Sequence, residues 1–364
     1  MVITMAEILL ENVTHKYRGD YAAVADVNLK FRDGSFSCLL GPSGCGKTTL
    51  MRIIAGLLTP TEGKILFDGK NVTELPPEKR NTAMVFQYPV IYDMKVFDNL
   101  AFPLRNIKMA ENEIRRKVEK LADLLGITGY LHLRAATLDS GIKQKVALGR
   151  ALVREPNVYL LDEPLSNIDP KDRFEIKTKL KQLQREIKST AIYVTHDQTE
   201  ALTLGEEIAV MNFGKVLQYD APKTLYERPA TEFVASFVGN PGMNLLPCVL
   251  SGNSLDLGGL KHDASNLMER IEQQQGKGLI LGIRPEDIRI SREKTAGSNP
   301  FRCTRSENVG VAQILYLESN NTRAPLHITA KIEDTAPVPK GESLWVNFPG
   351  DKTRIFNRTG ELLI

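Results

Sequence analysis

The eight residues GPSGCGKT, from Gly41 to Thr48, have the types and spacing of a loop that wraps a phosphate chain, G-x-x-x-x-G-K-[ST]. Glycine at 41, 44 and 46 lets the backbone turn tightly, so that its N–H groups and the next helix N-terminus point at phosphate oxygens. Gly41, Pro42, Ser43, Gly44, Cys45 and Gly46 would form that cradle. Lys47 would reach the β- and γ-phosphates, and Thr48 and Thr49 would open the helix, the Thr48 hydroxyl serving as a ligand for Mg²⁺. A magnesium site needs further oxygen ligands, and NVYLLDEP supplies Asp162 at the end of an apolar run, acting directly or through a water. Glu163 follows at once and is the candidate general base for an attacking water; His196 closes another apolar run, AIYVTHD, by the same geometry. This is the chemistry of nucleoside triphosphate hydrolysis.

These groups need elements to hold them in register. The runs SFSCLL from Ser35, VYLL from Val158 and AIYVT from Ala191 are continuously apolar, as strands buried on both faces are, which favours a parallel central sheet. Ligands of such a sheet lie outside the carboxyl ends of its strands, where the loop, Asp162, Glu163 and His196 all fall. The stretch from Thr48 to Leu58, stopped by Thr59-Pro60, reads as a helix, and Glu113 to Leu125 carries Ile114, Val118, Leu121 and Leu125 at helical spacing. After Phe237 the texture changes to strands punctuated by glycine and proline, so residues 1–237 read as one domain and 238–364 as a second, β-rich one. Its candidate strands are GLILGI from Gly278, VAQILYL from Val311, LHITAKI from Leu326 and LWVNF from Leu344, forming a small barrel or sandwich, with Ser291 to Pro300 as a loop.

The chain has 364 residues, 42% hydrophobic and 25% charged, enough for two cores and unlike a disordered or disulfide-stapled protein. Lys+Arg 47 against Asp+Glu 44 gives +3, too balanced to imply nucleic acid. Cys38, Cys45, Cys248 and Cys303 lack zinc spacing and read as free thiols in a reducing cytosol. No apolar run reaches the ~18 residues of a membrane span, and MVITMAEILL lacks the pattern of a cleaved leader.

With these motifs in this order, the chain resembles the nucleotide-binding subunits of ABC transporters, and within them the ATPase subunits of carbohydrate importers such as those for maltose and glycerol phosphate. The resemblance implies an α/β P-loop NTPase domain with a helical subdomain, and a C-terminal all-β regulatory domain of OB-like or TOBE-like type. It implies that Tyr17 in HKYRG stacks on adenine, and that Gln87 in MVFQ senses Mg-ATP, ligates the metal with Thr48 and Asp162, and touches a transmembrane partner. It further implies that Ser166 to Asp169 is exchanged across an ATPase dimer, and that His196 holds the γ-phosphate and the attacking water while Glu163 activates it. FVASFVGNPGMN, LGIRPEDI and RIFNRTGELL look like segments of the regulatory β-domain of this importer group; LGIRPEDI is shared with polyamine and metal importers. The implied partners are permease subunits and, through them, a substrate-binding protein, with the chain peripheral on the cytoplasmic face of the inner membrane. The alternatives are the ATPase of a polyamine or metal ABC importer, a nucleotide-sensing regulator, and a soluble ABC ATPase without a permease.

One motif departs from the pattern. Where the family has LSGGQ, whose amides clasp the partner's γ-phosphate, this chain has Leu138, Asp139, Ser140, Gly141 and Ile142. A carboxylate at the serine position has the wrong charge for a triphosphate, and Asp139 could itself cap the helix that should greet it. The expected consequence is pairing with a second ATPase subunit of normal signature, a heterodimer in preference to a homodimer. Lys145 replaces a usual arginine, and the loop after Gln87, YPVIYDMKVFDN, looks one residue short.

Overall fold

The computed structural model describes residues 6–17, 19, 21–274, 276–319, 325–333 and 336–364; residues 1–5, part of the segment read above as carrying no leader, lie outside it. The chain forms two compact units, Met1–Pro222 and Lys223–Ile364.

Among the described residues the first unit contains ten strands in two sheets. In chain order the strands are β1 (Ile8–Lys16), β2 (Ala22–Phe31), β3 (Phe36–Leu40), β4 (Glu62–Phe67), β5 (Lys70–Asn71), β6 (Thr82–Val85), β7 (Val158–Asp162), β8 (Thr190–Thr195), β9 (Glu207–Asn212) and β10 (Lys215–Asp220). The larger sheet has the order β10-β9-β3-β8-β7-β6 and is parallel except for the β9–β10 hairpin; the smaller, β2-β1-β4-β5, is antiparallel. Every residue of β3, β7 and β8 is buried, which is why these runs are apolar without alternation. Register then fixes the site: Leu40 lies opposite Thr195 and Asp162 opposite Val194, so the residues following these three strands emerge at one edge.

The α-helices among its described residues are α1 (Lys47–Ala55), α2 (Val96–Asn106), α3 (Glu111–Leu124), α4 (Ser140–Leu152), α5 (Pro170–Ile187) and α6 (Gln198–Leu204). α1 buries Leu50, Met51, Ile53 and Ile54 in the core that both sheets share. Its C-terminal carbonyls are closed by buried Arg80, whose Nη1 donates to Ile53 O and Ile54 O at 2.9 Å each, while Nε reaches Leu75 O and Nη2 reaches Thr73 O. α3 buries Ile114, Val118 and Leu121 on one face, as its spacing predicts. Among the described residues no helix is long and apolar enough to cross a membrane.

The second unit begins with α7 (Pro222–Glu227), whose first residue closes the first unit, and α8 (Glu232–Phe237), followed, among the described residues, by two five-stranded antiparallel sheets. Its strands are β11 (Asn244–Ser251), β12 (Ser254–Asp256), β13 (Lys261–Asp263), β14 (Gly278–Ile283), β15 (Arg289–Ser291), β16 (Asn299–Asn308), β17 (Gln313–Ser319), β18 (Leu326–Ile332), β19 (Ser343–Asn347) and β20 (Arg354–Phe356). The sheets, β13-β12-β11-β14-β20 and β15-β19-β16-β17-β18, enclose one apolar cluster running from Leu246 to Ile355. The division at 222/223 lies upstream of the change of texture at 237, because Ala235 of α8 packs with Met243 and Phe356 of the β-rich unit. β15 and β16 also trim both ends of the segment read as a loop. β16 is mostly polar and buries only Phe301 and Cys303, so its sequence carries little alternation.

Candidate functional site

The loop Gly41–Gly46 follows β3 directly and is shaped by close backbone approach. A Cβ at Gly41 would lie 2.3 Å from Met211 O, and one at Gly46, where φ is +105°, would lie 2.2 Å from Ala23 O. The turn joining β9 to β10 buttresses the same loop: Gly214 N donates to Cys45 O at 3.0 Å, and Ala25 N donates to Gly214 O at 2.9 Å. Met211, Gly214 and Ala23 are far away in sequence, so no local motif announces them. Lys47 is buried, and its Nζ donates to Gly41 O at 2.8 Å and Pro42 O at 2.9 Å, with Cys45 Sγ 3.7 Å away.

Asp162 ends β7 with 2% exposure and accepts from Thr48 Oγ1 at 3.1 Å. Burial pushes its carboxyl above the usual carboxylate range, against the opposing effect of the Thr48 bond, and among the described residues it has no ion pair. A buried, unneutralised carboxylate touching a threonine hydroxyl is a hard oxygen pair suited to Mg²⁺.

Glu163 sits at φ +44°, a left-handed conformation costly for a side chain of its size, and its N–H is tied to Val194 O at 3.1 Å. Gln87 Nε2 donates to its Oε2 at 3.2 Å, and His196 Nδ1 is hydrogen-bonded to its Oε1 at 3.0 Å. Asn167 Nδ2 reaches Gln87 O at 3.4 Å, which links Ser166–Asp169 to the same network. Beneath it, Asp197 caps α6, and buried Glu200 accepts from Tyr193 and Thr195 at 2.9 Å each, holding the end of β8 that presents His196.

Tyr17, Ser43, Gly44, Gly46, Lys47, Thr48, Thr49, Gln87 and Glu163 line one cleft of about 430 Å³, joined by Tyr21 and Ala23. The Tyr17 hydroxyl lies 3.2 Å from Thr49 Oγ1. Leu138 to Ile142 do not line this cleft. Ser140 to Ile142 open α4, where Asp139 is the N-cap and accepts from Ile142 N at 2.9 Å. Buried Lys145 ties the same helix to Asp172 of α5 at 2.5 Å.

Residues 24–166 match the family described as ABC transporter, and residues 239–288 match the MalK OB fold domain. Over 97% of its length the chain is 39% identical to the sn-glycerol-3-phosphate import ATP-binding protein UgpC of Pectobacterium atrosepticum, covering 98% of that relative. The chain belongs to the ATP-binding subunits of ABC importers. As an ABC importer ATPase it is also 40% identical to the trehalose/maltose import ATP-binding protein MalK of Thermococcus litoralis, with 98% of each chain covered. The oligosaccharides import ATP-binding protein MsmX of Bacillus subtilis is 37% identical to it, with 99% of this importer ATPase and 100% of MsmX covered. Among solved structures, an ATP-binding cassette captured as a post-hydrolysis dimer bound to ADP and Pi superposes with a TM-score of 0.55 at 30% identity, over 59% of this chain and 98% of the other.

Proposed function

We propose that this chain hydrolyses ATP on the cytoplasmic face of the inner membrane to drive uptake of a sugar or polyol through separate permease subunits. The observation that carries the reading is one cleft joining the phosphate loop to Glu163, with Gln87 and His196 on its two carboxylate oxygens. Lys47 neutralises charge on the outer phosphates, Tyr17 offers a ring face to adenine, and Glu163 takes the proton of the attacking water while His196 holds the γ-phosphate beside it. Thr48, Asp162 and Gln87 would hold Mg²⁺, which when bound neutralises charge developing on the phosphates.

A groove of about 360 Å³ beside β6, lined by Val90, Tyr92, Phe102 and Arg150 among others, leaves Val90 55% and Tyr92 42% exposed in the loop after Gln87. It supports permease docking there, with a substrate-binding protein acting on the far side of the permease and no nucleic acid involved. The Asp139 cap supports pairing with a second ATPase. Its carboxylate already takes the helix N–H at 142 and puts negative charge where the resemblance calls for a serine facing the partner's γ-phosphate.

The test is uptake. In the parent organism, Lys47→Ala abolishes ATP-driven accumulation of one labelled compound from a panel of glycerol, glycerol 3-phosphate, maltose and longer oligosaccharides. Unchanged uptake of every panel member, or loss of polyamine or metal uptake instead, refutes the assignment.

A further inference from the structure

Two exposed tyrosines, Tyr17 and Tyr21, line the nucleotide cleft. β1 and β2 pair antiparallel, and the last register pair at this end is Lys16 with Ala22. Tyr17 and Tyr21 therefore stand one step beyond, at facing positions where the chain leaves one strand and enters the next. Both line the cleft together with the phosphate-loop residues Ser43, Gly44 and Gly46.

Their situations differ. Tyr17 is fixed by its hydroxyl at Thr49 and by an edge-on contact with His15, ring centroids 4.8 Å apart. Tyr21 is 62% exposed, more than Tyr17 at 55%, and among the described residues its hydroxyl has no hydrogen bond and its ring no aromatic partner. A large ring left in water beside a site for a molecule with a planar base is covered when that base arrives. Stacking asks only for a π face, so a second ring adds affinity without requiring a matching hydrogen-bond pattern.

We propose that Tyr21 is a second nucleobase-binding residue, so that the base of ATP is held by two aromatic rings rather than by Tyr17 alone. The proposal rests on the reading of this cleft as the ATP site. With the triphosphate on the Gly41–Thr48 loop, the base falls within the same cleft that the two tyrosines line.

The experiment measures equilibrium affinity of the purified full-length chain for ATP and, separately, for inorganic tripolyphosphate, which keeps the phosphates and lacks the base. Tyr21→Ala is expected to weaken ATP binding about tenfold and leave tripolyphosphate unchanged, while Tyr21→Phe, which keeps the π face, stays within about twofold of the parent. ATP affinity unaffected by Tyr21→Ala overturns the proposal. An equal loss for both ligands also overturns it, because it assigns Tyr21 to the shape of the loop. A loss in Tyr21→Phe as large as in Tyr21→Ala overturns stacking in favour of the hydroxyl. Tyr17→Ala separates the two levels. If it weakens ATP and Tyr21→Ala does not, only the second ring fails; if neither does, the base is not read in this cleft and the underlying assignment fails with it.

Discussion

Glu163→Gln lowers ATP turnover by about two to four orders of magnitude while ATP still binds. The substitution keeps size and polarity and removes the acceptor for a proton. The phosphate loop stays in place, because Gly41–Gly46 is set by Met211, Gly214 and Ala23, none of which touches Glu163 through a hydrogen bond. The amide still offers an oxygen to one of its two neighbours, Gln87 or His196, so the network relaxes rather than collapses. Phosphate release at saturating ATP together with equilibrium ATP binding checks this. Turnover within about threefold of the parent would move the base elsewhere. Loss of binding along with turnover would mean that Glu163 supports the architecture rather than the water.

Asp139→Ser raises the ATPase rate of the chain acting as its own partner by about ten- to a hundredfold. At ~4 Å and an effective dielectric of ~20 a pair of like charges costs about 4 kcal/mol, and screening at this exposed helix start reduces that to the smaller factor expected here. Serine is also a good N-cap, so the Ile142 N–H keeps an acceptor and α4 keeps its first turn. Asp139→Asn, which caps without charge, separates electrostatics from geometry and is expected to give most of the gain. The readout is phosphate release at concentrations where the chain dimerises. A parent as fast as both variants would mean that a homodimer works with Asp139 in place.

The parts of this site that lie within a few residues of one another in sequence were legible there. The phosphate loop, the Asp162-Glu163 pair and His196 each follow a continuous apolar run, and parallel register brings the ends of those runs to one edge. The capping role of Asp139 was also readable, because a carboxylate just before a helical run has one obvious set of donors. What could not be read acts across long sequence separations. Arg80 closes the C-terminus of α1, Gly214 braces the phosphate loop, and Glu200 supports the strand bearing His196. Tyr21 carries no motif, since an aromatic next to a turn is ordinary until pairing places it opposite Tyr17. The β-rich unit was legible where strands alternate, as in β17 and β18, and hidden in β16, whose exposed face and ends are polar.

The most direct measurement of the central claim, an importer ATPase that works beside a second ATPase, is affinity purification of the tagged chain from gently solubilised membranes of its own organism, with mass spectrometry counting subunits. The expected result is permease subunits together with this chain and a second ATPase in equal amount, the second carrying serine rather than aspartate at its position equivalent to Asp139. Recovery of a permease with this ATPase alone would contradict the pairing. Recovery from the soluble fraction with no permease would contradict the importer itself.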